Sequence, residues 1–197
     1  MSSFDATCSC HLDFLINQFC IACDGSKVRN KDREATILRN RDRKLPTQIE
    51  YLEFDGGHCK QKYKSLTEDW QCPCCNRTRF QLLRWTMRFP KSPSRFEGWV
   101  VGLHTHHDHA SDAYGGMYTF QGAAAARFAP VIICEQCNSA DSSAKKKLRL
   151  PENFTFTPIE IKSFIYPTAH GWHIINYTIA QDAYNKFVAS RALPKFF

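Results

Sequence analysis

The stretch Leu103-His104-Thr105-His106-His107-Asp108-His109 places four of the chain's eight histidines within six residues, with a carboxylate among them. Further on comes Cys134-Glu135-Gln136-Cys137-Asn138, and before it comes Cys72-Pro73-Cys74-Cys75. Read together, these three stretches predict one small metal-built centre. Zinc would hold its frame, and the histidines with Asn138 would supply its reactive groups.

The cysteines carry the first part of that reading. Ten are present, with Cys-x-x-Cys pairs at Cys20/Cys23, Cys72/Cys75 and Cys134/Cys137. This spacing lets two thiolates reach one tetrahedral zinc from a tight turn. Two such pairs complete a tetrahedron, so Cys72, Cys75, Cys134 and Cys137 are expected to hold a closed, structural zinc. Cys74 is a bystander, because adjacent thiols rarely reach the same ion. Cys8, Cys10, Cys20 and Cys23 could close a second zinc site, with His58 and Cys59 as other ligands; otherwise they are buried free thiols. Met1-Ser-Ser-Phe-Asp5 has neither the charged nor the apolar part of a secretion signal, and no run is apolar enough to span a bilayer. The expectation is therefore a cytoplasmic metal binder rather than a disulfide scaffold or membrane protein.

The 197 residues allow one domain, or a catalytic domain with a smaller partner, and the formal charge of +7 suggests a polyanionic partner. The expected fold is α+β, in three parts. Residues 1–68 form a cysteine-rich and basic region, 69–150 a zinc-stapled core, and 151–197 an extension with helices. The densest basic stretch is Lys27–Lys44, read as a solvated loop or helix face, or as an arm contacting phosphates through Arg39, Arg41, Arg43 and Lys44. Gln48–Phe54 alternates well enough for a strand. Phe80–Phe89 alternates in part and is also expected as a strand, and Gly98–Leu103 as a strand leading straight into the histidines. Ala123–Arg127 reads as a helical turn. Ser139–Arg149 reads as a helix, basic at its end through Lys145, Lys146, Lys147 and Arg149. Thr157-Pro158-Ile159-Glu160 has the signature of a capped helix start, and Ile179–Leu193 reads as a final helix. His170 and His173 could be ligands, but lone histidines of this kind are more often surface or packing residues.

Cutting a phosphodiester needs an activated water, a cation to take up developing charge and an exit for the leaving oxygen. A neutral histidine is a suitable base near neutral pH. His106, His107, Asp108, His109 and Asn138 supply the base and the ligands that such a reaction requires. The competing reading is that these histidines form a second zinc shell.

Residues 72–150 resemble the HNH nucleases, the ββα-metal or His-Me finger group. His106-His107-Asp108, after a strand ending in Leu103, resembles the paired-histidine hairpin of the colicin nucleases. His-His-Asp-His followed by Cys-x-x-Cys-Asn resembles the phage resolvase group typified by endonuclease VII, and zinc-containing HNH restriction enzymes share the arrangement. The resemblance implies His106 as ligand of a catalytic Mg²⁺ or other divalent ion, His107 as base and Asn138 as second ligand. His109 would help to bind the metal or the scissile phosphate. A second register, with Asp108 as ligand and His109 as base, is also open; the first is preferred because it explains the His-His-Asp run. Two departures stand out. No Asn precedes Cys134 to orient the base, since Phe128–Ile133 offers none. The loop before Cys134 is also long, and could read substrate around Tyr114–Gln121.

The implied activity is a metal-dependent endonuclease for double-stranded DNA, restriction-like or phage-borne. A homodimer would be needed for two staggered breaks. The alternatives are a non-catalytic zinc-ribbon nucleic-acid binder and a nuclease for RNA or branched DNA.

Overall fold

The centre of the fold is a hairpin that runs without a linker into a helix. Strand β3 (Leu103–His106) pairs antiparallel with β4 (Val131–Cys134), in the register Leu103↔Cys134 to His106↔Val131. Helix α6 (Glu135–Leu148) begins at the next residue and packs on both strands. Gly102 fixes this join. Its carbonyl accepts the Glu135 N–H at 2.8 Å, and a Cβ at Gly102 would lie 2.5 Å from the Glu135 Cβ. Only glycine allows that approach. The chain is an α+β protein, and the structure is a computed structural model describing residues 27–88, 91–116 and 119–192. Cys8, Cys10, Cys20 and Cys23, the expected second zinc set, lie outside the described residues.

Around this unit the elements follow local chemistry. The basic stretch forms α1 (Lys27–Arg41). The expected strand at 48–54 is instead α2 (Gln48–Leu52), because Thr47 and Glu50 close a capping box that satisfies the helix start. Glu50 also accepts from Trp99 Nε1 at 2.9 Å, and the Thr47 amide together with Trp99 holds its carboxyl down at about 2. A short 3₁₀ turn (Gly57–Cys59) leads into α3 (Lys60–Lys64). The strand expected at 80–89 is shorter: Thr78 and Gln81 cap α4 (Arg79–Leu82), and β1 (Arg84–Arg88) follows. β1 pairs with β2 (Phe96–Val100), bringing Trp85 opposite Trp99. The expected strand 98–103 is therefore broken at Val101–Gly102, where the chain leaves one hairpin for the next. After β3 come a 3₁₀ segment (His109–Tyr114) and α5 (Phe120–Ala125).

Beyond α6, Thr157 caps α7 (Pro158–Phe164) through the expected box with Glu160. A two-residue pair, β5 (Ile165–Tyr166) and β6 (Ile174–Ile175), leads to α8 (Tyr177–Ala192). One buried cluster contains Tyr63, Leu83, Ile133, Phe156, Ile161 and Phe164, so the three parts expected from sequence share a single core. Among the described residues no helix is long and apolar enough to cross a membrane.

Candidate functional site

Among the described residues, two clusters of side chains could hold a metal ion. The first comprises Cys72, Cys75, Cys134 and Cys137, all buried, with their sulfurs within 4.8 Å of one another. Cys72–Cys137 and Cys75–Cys134 are each 3.8 Å apart. A tetrahedral zinc with Zn–S near 2.3 Å requires sulfurs about 3.8 Å apart, so the cage fits that ion. The knuckle turn is set by the Asn76 N–H donating to the Cys72 carbonyl at 2.7 Å, with Asn76 in the left-handed region (φ 56°). β4 and the first turn of α6 deliver the other pair. Cys74 is buried but stays outside the cage, as its adjacency to Cys75 implied.

Burial pushes the Cys134 and Cys137 thiols up, whereas hydrogen bonds from Cys134 and Cys137 favour the Cys75 thiolate. A divalent cation resolves this conflict, since it binds thiolates. Zinc with four thiolates keeps a net negative charge, and Arg77 answers it. Arg77 is buried; its Nε donates to Cys75 Sγ at 3.4 Å, and one terminal nitrogen donates to Cys134 Sγ at 3.2 Å and Gln136 Oε1 at 3.0 Å. Burial works against the Arg77 charge, but the Cys134 and Cys75 sulfurs outweigh it and raise its pKa. His173 Nε2 lies 3.3 Å from Cys137 Sγ. Arg77 was not legible as a neighbour of the cage, and His173 only as an optional ligand, because both reach it through tertiary folding.

The second cluster comprises His107, His109 and Asp112, again with ligand atoms within 4.8 Å of one another. His109 Nδ1 is 3.0 Å from Asp112 Oδ2, His107 Nε2 is 3.5 Å from Asp112 Oδ1, and the two rings lie 4.7 Å apart. All three side chains remain open to solvent. Asp112 enters because the 3₁₀ segment puts it three residues past His109 on the same side. A His-x-x-Asp spacing was visible in the sequence, but the helical turn that gives it meaning was not.

Within β3, Leu103 and His106 are buried while His104 and Thr105 are exposed, and a strict alternation begins only at His106. His106 is buried, His107 faces out, Asp108 is buried and His109 faces out. His106 Nε2 is 2.7 Å from the Phe156 carbonyl, a hydrogen bond that the ring donates, and the ring stacks on Phe128. Burial lowers its proton affinity. Asp108 caps the 3₁₀ segment through Ala110 N–H and accepts the Arg127 amide at 2.8 Å. His106 and Asp108, the expected ligands of the two registers, thus stand on the inner face, while both expected bases stand on the outer face. Asn138 is half-buried in the first turn of α6, immediately after Cys137.

The expected phosphate contacts are largely engaged within the chain. Lys145 pairs with Asp141 at 3.1 Å, Lys147 with Asp32 at 2.7 Å and Arg41 with Asp42 at 2.7 Å. Arg43 donates to the Ala169 carbonyl at 3.0 Å. Arg39 lies over Trp172 and Lys44 over Trp85, while Lys146 and Arg149 are exposed. No protein-family model matches the chain, and neither a curated protein nor a solved structure does.

Proposed function

We propose that this chain is a metal-dependent DNA endonuclease of HNH type, with zinc in the cysteine cage and a separate catalytic divalent ion at the histidines. One observation carries the reading. Two imidazoles and a carboxylate, His107, His109 and Asp112, converge in the open at the end of a hairpin whose second strand runs directly into a helix.

His107 is the base that takes the proton from the attacking water. Asp112 Oδ1, 3.5 Å away, orients its ring and supports the imidazolium that forms. Asp112 thereby fills the role for which no Asn precedes Cys134. His109 and the other Asp112 oxygen would hold the ion, with Asn138 the further ligand that the HNH resemblance implies; when bound, the ion supplies positive charge for the scissile phosphate and the leaving oxygen. A mixed imidazole and carboxylate set suits Mn²⁺ or Zn²⁺ better than Mg²⁺. Exposed Lys146 and Arg149 would add phosphate contacts.

The test is supercoiled plasmid with Mg²⁺ or Mn²⁺, with and without EDTA, beside His107→Ala and His109→Ala and with zinc content measured. Metal-dependent nicking that vanishes in zinc-loaded His107→Ala is expected, with Mn²⁺ the better ion. His109→Ala should instead raise the metal concentration needed. A wild type that binds DNA but never cuts duplex, branched or RNA substrates would make the chain a zinc-ribbon binding module.

A further inference from the structure

The basic arm that the sequence singled out does not extend into solvent. It forms one wall of a cleft of about 450 Å³, whose other walls are β1, β2 and the turn at His170–Trp172. That volume lies within the roughly 300–1,000 Å³ of small-molecule sites. The cleft shares no lining residue with the His107, His109 and Asp112 cluster.

Its lining alternates cations with indoles: Arg39, Arg43, Lys44 and Arg84 with Trp85 and Trp172. Lys44 Nζ lies 3.7 Å from the Trp85 ring centre, and the guanidiniums of Arg84 and Arg39 lie 4.5 Å and 5.3 Å from that of Trp172. The two carboxylates lining the cleft are engaged by cations outside its lining, Asp42 by Arg41 and Glu97 by Arg95. Arg39 and Arg43 have no carboxylate partner among the described residues. Arg84 is 6% exposed and pairs with Glu135, yet its Nε has no hydrogen-bond partner.

Cations beside aromatic faces are how proteins hold unpaired nucleotides: rings take the base, and cations take the phosphate. We propose that this cleft binds an unpaired nucleotide of a DNA strand, its base on Trp85 or Trp172 and its phosphate on Lys44 and Arg39.

The full-length, zinc-loaded protein is titrated with a short oligothymidylate and with an abasic strand of the same length, over a salt series. Both titrations use His107→Ala, so that binding is read without cleavage and stands or falls apart from the nuclease reading. That protein should prefer the oligothymidylate about 5- to 100-fold. Adding Trp85→Leu and Trp172→Leu should erase the preference, and adding Lys44→Gln should weaken both strands and shallow the salt dependence. Lys44 is half exposed, so its variant reports on the phosphate even where a tryptophan variant fails to fold. Equal affinity for the two strands would overturn the proposal in favour of a mere cationic patch. A base preference that survives both tryptophan changes, or binding indifferent to Lys44→Gln, would overturn it as well.

Discussion

Arg77 is a single residue that braces the four-cysteine cage without contributing a sulfur to it. Its guanidinium donates to two of the four sulfurs and is anchored on the Thr168 and Gly171 carbonyls. Arg77→Met should lower zinc affinity about 10- to 100-fold, measured against a chromophoric chelator. An unchanged affinity would reduce Arg77 to a packing residue. His170 provides a pH-dependent contribution. It is buried, at positive φ (58°), and its Nδ1 is 2.9 Å from the Leu83 carbonyl. Burial lowers its folded-state pKa below the ordinary 6.5, so in that interval the unfolded chain binds more protons than the folded one. Stability from the neutral ring is therefore complete above pH 6.5 and lost as pH falls from 6.5 through the folded value. His170→Asn keeps a residue that tolerates the backbone. Its melting temperature should fall less than that of the wild type between pH 7 and about 5.5; parallel curves would show that His170 does not titrate in this way.

At the scale of elements, the join between hairpin and helix is a tight point. Gly102→Ala should cost about 1–3 kcal/mol in urea unfolding and reduce cleavage, because the new methyl pushes α6 off β3. An unchanged midpoint would mean that Glu135 can swing aside. Elements were legible where their signal is local. The convergence of Cys72/Cys75 with Cys134/Cys137 and the Thr157 box read correctly because spacing alone carries them. Gln48–Phe54 was misread as a strand because its alternation competes with the Thr47–Glu50 box, and the box prevails by satisfying backbone donors. The site was legible in outline only. Strand alternation could not settle which of the histidines face the core, since that depends on Phe128 and Phe156 arriving from elsewhere. Arg77 and the cleft tryptophans were hidden for the same reason: they are long-range contacts with no mark in local sequence.

Across the whole molecule, the four-cysteine cage brings the knuckle at 72–75 against the strand and helix at 134–137, within the buried core. Stripping zinc should leave four thiols buried without a cation, lower the melting temperature, broaden the transition and abolish cleavage; restoring zinc should reverse all of these. A melting curve unchanged after complete removal would refute the structural role. The hairpin has a further consequence. The excursion between β3 and β4 is closed at its base by the His106↔Val131 pair and the Asp108–Arg127 bond, while Tyr114 and Phe120 stand exposed at its far end. With the stem clamped, doubling the excursion's length costs only about 0.6 kcal/mol of closure entropy. The tip is nonetheless tied to the candidate site, since Thr119 Oγ1 donates to the Tyr114 carbonyl at 2.7 Å and α5 packs on the 3₁₀ segment that carries His109 and Asp112. A change of loop there is therefore expected to reach the histidines as well as the surface.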